Sequence, residues 1–452
     1  MNILKQVNSA AQVQPYNEAA MPVDAAQILY PSTTKDLVTI FAQCVERRQS
    51  VSLHATGHDF EGRSLSGEMV VHLGAFDEVR YDPETTHVTV GGGVRVAQLN
   101  DILRPHGRAV STGTNQDVGV VGLALGGGAA YTSRLYGLTC DAIVAVELCT
   151  FGGRVLQVND QSDPALMRLL RGAGGGWFGA VTRMVLKTYP TVPVTSFSAT
   201  WDATEGRALL GKLEALLISA PDNLSMRVGA NVTGTDMTRC VTLSGQFLGD
   251  DTDTIARHFG SLTRHPSWKQ KDQNYFSAMA GAKHVTSGGC FRIKSRFAKR
   301  QAGAACLQAM FDHLAIWTPT TNPDGAGFGL FAWGGQISQF SAAKSCAGGR
   351  NAIYLSSFDT SWSNDATASN VNIQLDWVGA LDGIAGACMT DQSYINFPDS
   401  DDIGFSSRHL APIAAALKTA TEAHDPANLG RQVARVQLRH PTDNPLAKKF
   451  PS

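Results

Sequence analysis

Residues 113–128 read GTNQDVGVVGLALGGG, and three more glycine-rich stretches flank them: ATGHDFEGRSLSG at 55–67, VGGGV at 90–94 and RGAGGGWFG at 171–179. A glycine loop brings backbone N–H groups close to an anion with no Cβ in the way. Four such loops in the first 180 residues point to a long, phosphate-bearing ligand rather than to turns alone. Short β-type runs separate them: SVSLH (50–54), MVVHL (69–73), HVTVGGG (87–93) and DAIVAVELCTFGGRVLQV (141–158). The last reads as two strands split at Gly152–Gly153. Residues 34–48 carry a helical stripe of Leu37, Val38, Ile40, Phe41 and Val45, with Thr34 as the expected cap, and 94–106 reads as a second helix.

Two common nucleotide signatures are set aside. Gly174, Gly176 and Gly179 form a G-x-G-x-x-G pattern, but a dinucleotide fingerprint must follow a strand and open a helix. Here AVTRMVLKTYP follows, which alternates like a strand. No G-x-x-x-x-G-K-[ST] occurs either, so P-loop chemistry is set aside.

At 452 residues the chain is long enough for two domains. A formal net charge of −1, with no run of like charges, gives no footprint for nucleic acid or an anionic membrane surface and suits a small substrate. No stretch of 18 apolar residues suggests a membrane-spanning helix. The N-terminal MNILKQVNSAAQVQPYNEAAM lacks an apolar secretory core. Eight dispersed cysteines without a C-x-x-C pair argue against zinc, and read as reduced, buried thiols of a cytoplasmic protein. Composition shifts near Pro190. Beyond it strands are expected at 225–249, 329–338 and 352–362, and helices at 252–265 and 404–424.

In order, T-G-H-D-F-E-G (56–62), V-G-x-V-G-L-A-L-G-G-G (118–128), S-R-x-Y-G-L-x-x-D (133–141), L-x-R-G-A-G-G-G-W-F-G-A-V-T (169–182), S-Y-I-N-F-P-D (393–399) and D-P-A-N (425–428) span nearly the whole chain. Together they resemble the berberine bridge enzyme-like branch of the vanillyl-alcohol oxidase flavoproteins. The resemblance implies an α+β fold: a PCMH-type FAD-binding domain of two subdomains (1–190), a substrate domain with an antiparallel sheet covered by helices (191–400), and a C-terminal segment (401–452) returning to the FAD domain.

It also implies site residues. His58 would bond covalently to the flavin C8 methyl, and backbone around Ala55, Thr56 and Gly57 would hold the pyrophosphate; Asp59, also expected at the cofactor, stands where the family usually has serine. The 113–128 loop would contribute Gly113, Thr114, Asn115, Val118, Gly119, Gly122, Gly126, Gly127 and Gly128. Asn115 replaces the cysteine that makes a second link in some members, so a single covalent link is expected. Val118 resembles the oxygen-reactive members. Gly179 and Val181 would meet the adenine. Opposite the flavin, Tyr394 is the expected base with Asn396 beside it, or else Tyr394 only positions the substrate or braces Asn396 near the flavin; the family's second tyrosine is Phe397 here. A phenol with its ordinary pKa of about 10 is a poor base at neutral pH, and Arg350, the remnant of a P-H-R element, is the expected cation beside it. The implied activity is an FAD-dependent oxidase that uses O2 and acts on a small natural-product intermediate through an alcohol, an amine or an oxidative cyclisation. The altered base elements keep a non-redox flavin cyclase or isomerase open as the alternative, as is a carbohydrate oxidase.

Overall fold

The computed structural model describes residues 16–19, 27–65, 68–234, 236–251, 253–281, 289–399, 401–402 and 407–430. Residues 403–406, where the last helix is expected to begin, and the tail from 431 lie outside the described residues.

The first part builds two sheets. Strand β1 (Gln27–Leu29), helix α1 (Thr34–Arg47), β2 (Val51–His54) and β3 (Met69–His72) form a three-stranded parallel sheet in the order β1-β3-β2. Next come β4 (Val79–Asp82), β5 (His87–Gly91), α2 (Val96–Leu103), the short β6 (Arg108–Ala109), α3 (Val120–Gly126) and α4 (Ser133–Tyr136). Then follow β7 (Ile143–Thr150), β8 (Val155–Asn159), α5 (Pro164–Leu170), β9 (Gly179–Lys187) and β10 (Tyr189–Pro190). An antiparallel sheet runs β4-β5-β9-β7-β8. The stretch after the G-x-G-x-x-G pattern is thus the central strand β9, as its alternation requires.

Helix α1 is capped by Thr33, one residue before the expected cap. Its hydroxyl accepts from the Asp36 N–H, and Asp36 in turn accepts from the Thr33 N–H. The helix buries Leu37, Ile40, Phe41 and Cys44 against Val51, Val71 and Phe151, wedged between the two sheets. Burial of each larger side chain is worth about 1.5–3 kcal/mol.

The second part is one seven-stranded antiparallel sheet. It contains β11 (Val194–Asp202), β12 (Leu224–Val232), β13 (Arg239–Leu248), β14 (Lys269–Gln273), β15 (Cys290–Ala298), β16 (Ala326–Ala332) and β17 (Tyr354–Trp362), in the order β14-β11-β13-β12-β16-β17-β15. The expected strand at 329–338 starts earlier and stops at Ala332. Its glycine turn, with Gly334 and Gly335 at positive φ, ends it. The expected helix at 252–265 is helical only over Asp253–Phe259 and continues as a 3-10 turn to Arg264.

Side chains alternate across this sheet. Val228, Ala230, Phe328, Leu330 and Phe358 face a core closed by helices Ala203–Ser219, Ala304–His313 and Ala368–Gly386. Ser225, Arg227, Phe331, Ser357 and Asp359 face the other way, toward the glycine loops. A further core joins both parts, with Leu125, Leu170 and Met184 packed near Phe297, Trp333 and Tyr394; Leu417 of the last helix, Ala414–His424, joins it.

One expectation fails outright. Cys306 and Cys388 are disulfide-bonded across the ends of two covering helices, while the other six cysteines are free. No described helix is long and apolar enough to cross a membrane.

Candidate functional site

A cavity of about 740 Å³ lies between the glycine loops and the bare face of the seven-stranded sheet, a size usual for cofactor and ligand sites. Ala55, Thr56, Gly57, His58, Asp59, Gly113, Thr114, Asn115, Val118, Gly119, Gly122, Gly179 and Val181 all line it. Sequence reading missed its other wall, above all Arg227, Asp324 and Asp359.

The loops are set by close backbone approach. A Cβ on Gly119 would lie 2.8 Å from the Thr56 hydroxyl and 3.0 Å from its methyl, so only glycine lets 113–119 lie against 55–58. Arg95 ties the pair together, donating to the Asp117 carbonyl (2.6 Å) and to the Thr56 carbonyl (3.3 Å). Gly174 and Gly176, both lining the cavity, hold φ of +88° and +82°, conformations that L side chains rarely adopt. The result is a cradle of exposed backbone, which fits the phosphates of a dinucleotide. Asp59 does not spend its carboxylate on that cradle. It accepts from the Glu61 and Ser64 N–H groups and folds its own loop.

His58 sits in the cavity wall with the Tyr16 ring 3.7 Å from its own. Burial pushes its pKa down to about 4 and Arg95 pushes the same way, while Asp117 and Asp59 pull it up. The imidazole is therefore neutral at pH 7, the form with a free lone pair.

Gly126, Gly127 and Gly128 do not line the cavity. They make room for other side chains: a Cβ on Gly126 would strike the Asn396 amide, one on Gly127 would press the Tyr394 ring, and one on Gly128 would strike Thr139. Tyr394 is buried, and its phenol oxygen accepts from the Gly128 N–H (2.9 Å) and the Ala129 N–H (3.0 Å). Asn396 donates to the Leu123 carbonyl (3.0 Å) and to the same phenol oxygen (3.3 Å). Burial nevertheless holds the phenol up at about 12. Three donors pull it down, but burial outweighs them, and the same hydrogen bonds brace the α3 loop.

Arg350 is not the cation at that phenol. Its guanidinium forks onto both oxygens of Asp141, at 2.6 and 2.8 Å, and also donates to the Ser345 hydroxyl and the Ile337 carbonyl. Arg350 and Asp141 are both largely buried, and neither lines the cavity. The pair fastens the 345–350 loop to the 138–141 turn.

The segment carrying Tyr394 and Asn396 is fixed instead by strand β15. Its residues Arg292 and Lys294 reach the buried Asp399 at 3.3 and 2.6 Å, and Arg296 forks onto Asp382. Arg408 adds contacts to Asp382, Asp399 and Asp402.

Asp359, on β17, is the one cavity carboxyl displaced toward neutrality. Burial raises its pKa to about 6, Asp324 adds to the rise, and Arg227 opposes it. No described residue donates a hydrogen bond to its carboxylate. A carboxyl poised within about a unit of neutral pH, facing a cavity and not committed elsewhere, is what proton abstraction requires.

Residues 25–159 match the family model of the FAD binding domain. The xylooligosaccharide oxidase of Thermothelomyces thermophilus is 27% identical over 329 residues, which are 68% of this chain and 64% of that protein. Among solved structures, Physcomitrella patens BBE-like 1 superposes with a TM-score of 0.81 at 22% identity, covering 94% of each chain. A chitooligosaccharide oxidase also reaches 0.81, at 18% identity over 96% of this chain and 97% of that one. The chain carries an FAD-binding domain and has the fold of the berberine bridge enzyme-like proteins.

Proposed function

We propose that this FAD-binding chain of berberine bridge enzyme-like fold is an FAD-dependent oxidase of a hydroxyl-bearing small molecule, with Asp359 as the proton acceptor. The uncommitted carboxyl of Asp359, raised to about 6 inside the cavity, carries the reading. FAD, when bound, would supply the hydride acceptor and the route for its electrons to O2, with hydrogen peroxide as the reduced product.

The chain's own part is positional and electrostatic. The loops at 55–59 and 113–119 hold the dinucleotide by backbone N–H groups. His58 is the single covalent anchor, and its neutral imidazole supports that role; Asn115 offers no thiol for a second bond. Asp359, ionised above pH 6, takes the hydroxyl proton as the adjacent C–H bond is broken. Phe331 and Phe397 present apolar rings at the cavity and limit water near the reacting carbon. The xylooligosaccharide and chitooligosaccharide oxidases supply precedent for oxidation on this fold, and their carbohydrate substrates stand beside small natural products as classes to test.

Acid precipitation of the purified protein tests the anchor. Yellow colour should stay with the pellet in the wild type and move to the supernatant for His58→Ala. Stoichiometric peroxide with a reactive alcohol tests the oxidase. Colour that leaves with the supernatant in the wild type refutes the covalent link, and flavin that no alcohol or sugar bleaches without oxygen refutes the oxidation.

A further inference from the structure

We infer that the substrate of this site is a carboxylic acid and that Arg227 receives its carboxylate; this rests on the oxidase reading and narrows its substrate class. The observation is a cation in the cavity wall with no hydrogen-bond or ion-pair partner among the described residues. Arg227 projects from β12 to the cavity side. Its guanidinium carries five N–H donors, yet none makes a hydrogen bond or an ion pair with any described residue, and Nε is fully buried without an acceptor. A buried charged donor left unsatisfied is costly, so a fold that keeps one in a ligand cavity is prepared for an acceptor that arrives from outside.

The surrounding strands are shaped for that side chain. In the sheet register Gly229 lies opposite Gly329, and Gly329 opposite Ser357. Gly327, in turn, lies opposite Asp359. Gly329 leaves a shallow trough on the β16 face, closed at one end by the Asn231 amide beside Gly229 and Gly327. Arg227 lies across it: a Cβ on Gly329 would fall 2.8 Å from its Nε and 3.1 Å from Nη2. The Phe331 ring supports the guanidinium from below, 4.9 Å from Cζ. Its flat face and its freedom from partners suit a planar carboxylate gripped through two parallel N–H bonds.

Asp359 stands on the far side of the trough, on the second strand over and four residues further along, since Arg227 is level with Leu355; that is roughly 16 Å away at the backbone. It feels the Arg227 charge but forms no ion pair with it among the described residues. A molecule lying in the trough would place a carboxylate on Arg227 and a hydroxyl-bearing carbon toward Asp359. The class is thus a hydroxy acid, such as a sugar acid or an aromatic acid carrying an alcohol, rather than a neutral sugar.

The test separates this inference from the oxidase reading because its first arm needs no turnover. Calorimetric titration of the flavin-loaded protein with benzoate should show binding, and with isosteric benzamide much weaker binding. Arg227→Gln should weaken benzoate about 10- to 100-fold, the loss expected for a charge-assisted hydrogen-bonded pair. Benzamide binding should be unchanged, and Arg227→Lys should restore benzoate in part, which controls for folding. In the second arm, galacturonate should be preferred over galactose through KM, and the preference should vanish in Arg227→Gln. Equal binding of benzoate and benzamide by the wild type overturns the inference. So does an Arg227→Gln variant that shifts only the pH profile of Asp359 and leaves benzoate affinity intact, since Arg227 would then be a counter-charge alone. Arginine-dependent benzoate binding without flavin bleaching by any acid would uphold the inference and refute the oxidase.

Discussion

Asp359→Asn should slow turnover and stabilise the protein at the same time. The carboxyl's pKa is raised from 3.8 to about 6 in the folded protein. A displacement of about two units corresponds to about 3 kcal/mol. Between about pH 4 and pH 6 the folded state keeps a proton that the unfolded chain has released, so stability falls as pH rises through that window. By pH 7 the wild type carries the whole penalty, whereas asparagine, of similar shape, carries none. The variant loses the attraction to Arg227, and the carboxylate is only half-buried, which reduces the expected gain to about 1–2 kcal/mol at pH 7 and close to zero at pH 4. Urea denaturation at both pH values, read by tryptophan fluorescence, measures this directly. The same substitution removes the base, so kcat/KM should drop by about 10²–10⁴. In the wild type, kcat/KM should rise tenfold per pH unit up to about 6 and then level; the variant should lack that limb. A variant of undiminished activity, or one with the same acid limb, refutes Asp359 as the base. A stability difference that does not depend on pH refutes the raised pKa.

Two further substitutions probe the supporting structure. Tyr394→Phe removes the acceptor of the Gly128 and Ala129 N–H groups and should destabilise the protein by about 2 kcal/mol, while the acid limb near pH 6 persists; loss of that limb would restore the tyrosine as base. Asp399→Ala removes the buried carboxylate that Arg292 and Lys294 share, leaving them the exposed Asp401, and should cost about 3 kcal/mol, with faster amide hydrogen exchange at 391–399; unchanged protection there would show that the ion pairs do not hold the segment.

The glycine loops were legible in the sequence because turn chemistry is local. A glycine forced to positive φ, or one that must admit a neighbouring backbone, leaves its mark at its own position. The alternation of AVTRMVLKTYP is equally local: it marks β9, a strand where a Rossmann fingerprint would open a helix. What could not be read was anything decided by register. Asp359 is an unremarkable acid in a strand-like run, and it becomes a candidate base only because β16 sets it across a glycine trough from Arg227. Arg350 failed as the cation of Tyr394 for the same reason: its partner Asp141 lies 209 residues away, with no sequence signal linking them. The Cys306–Cys388 bond joins residues 82 apart, one in a covering helix and one in the turn just after another, and their pairing depends on how both helices cover the sheet. Gly126, Gly127 and Gly128 looked like ligand-binding glycines and instead receive Tyr394, Asn396 and Thr139, because a missing Cβ says that something comes close without saying what.

The alternation across the seven-stranded sheet has an evolutionary consequence. Residues 225, 227, 357 and 359 line the cavity, whereas the alternate positions 228 and 358 pack into the hydrophobic core under the helices. Substitution at every second position can therefore reshape specificity while the intervening positions keep the domain folded. Such a sheet behaves as a rewritable surface on a fixed support, so relatives can diverge in what they oxidise long before they diverge in shape.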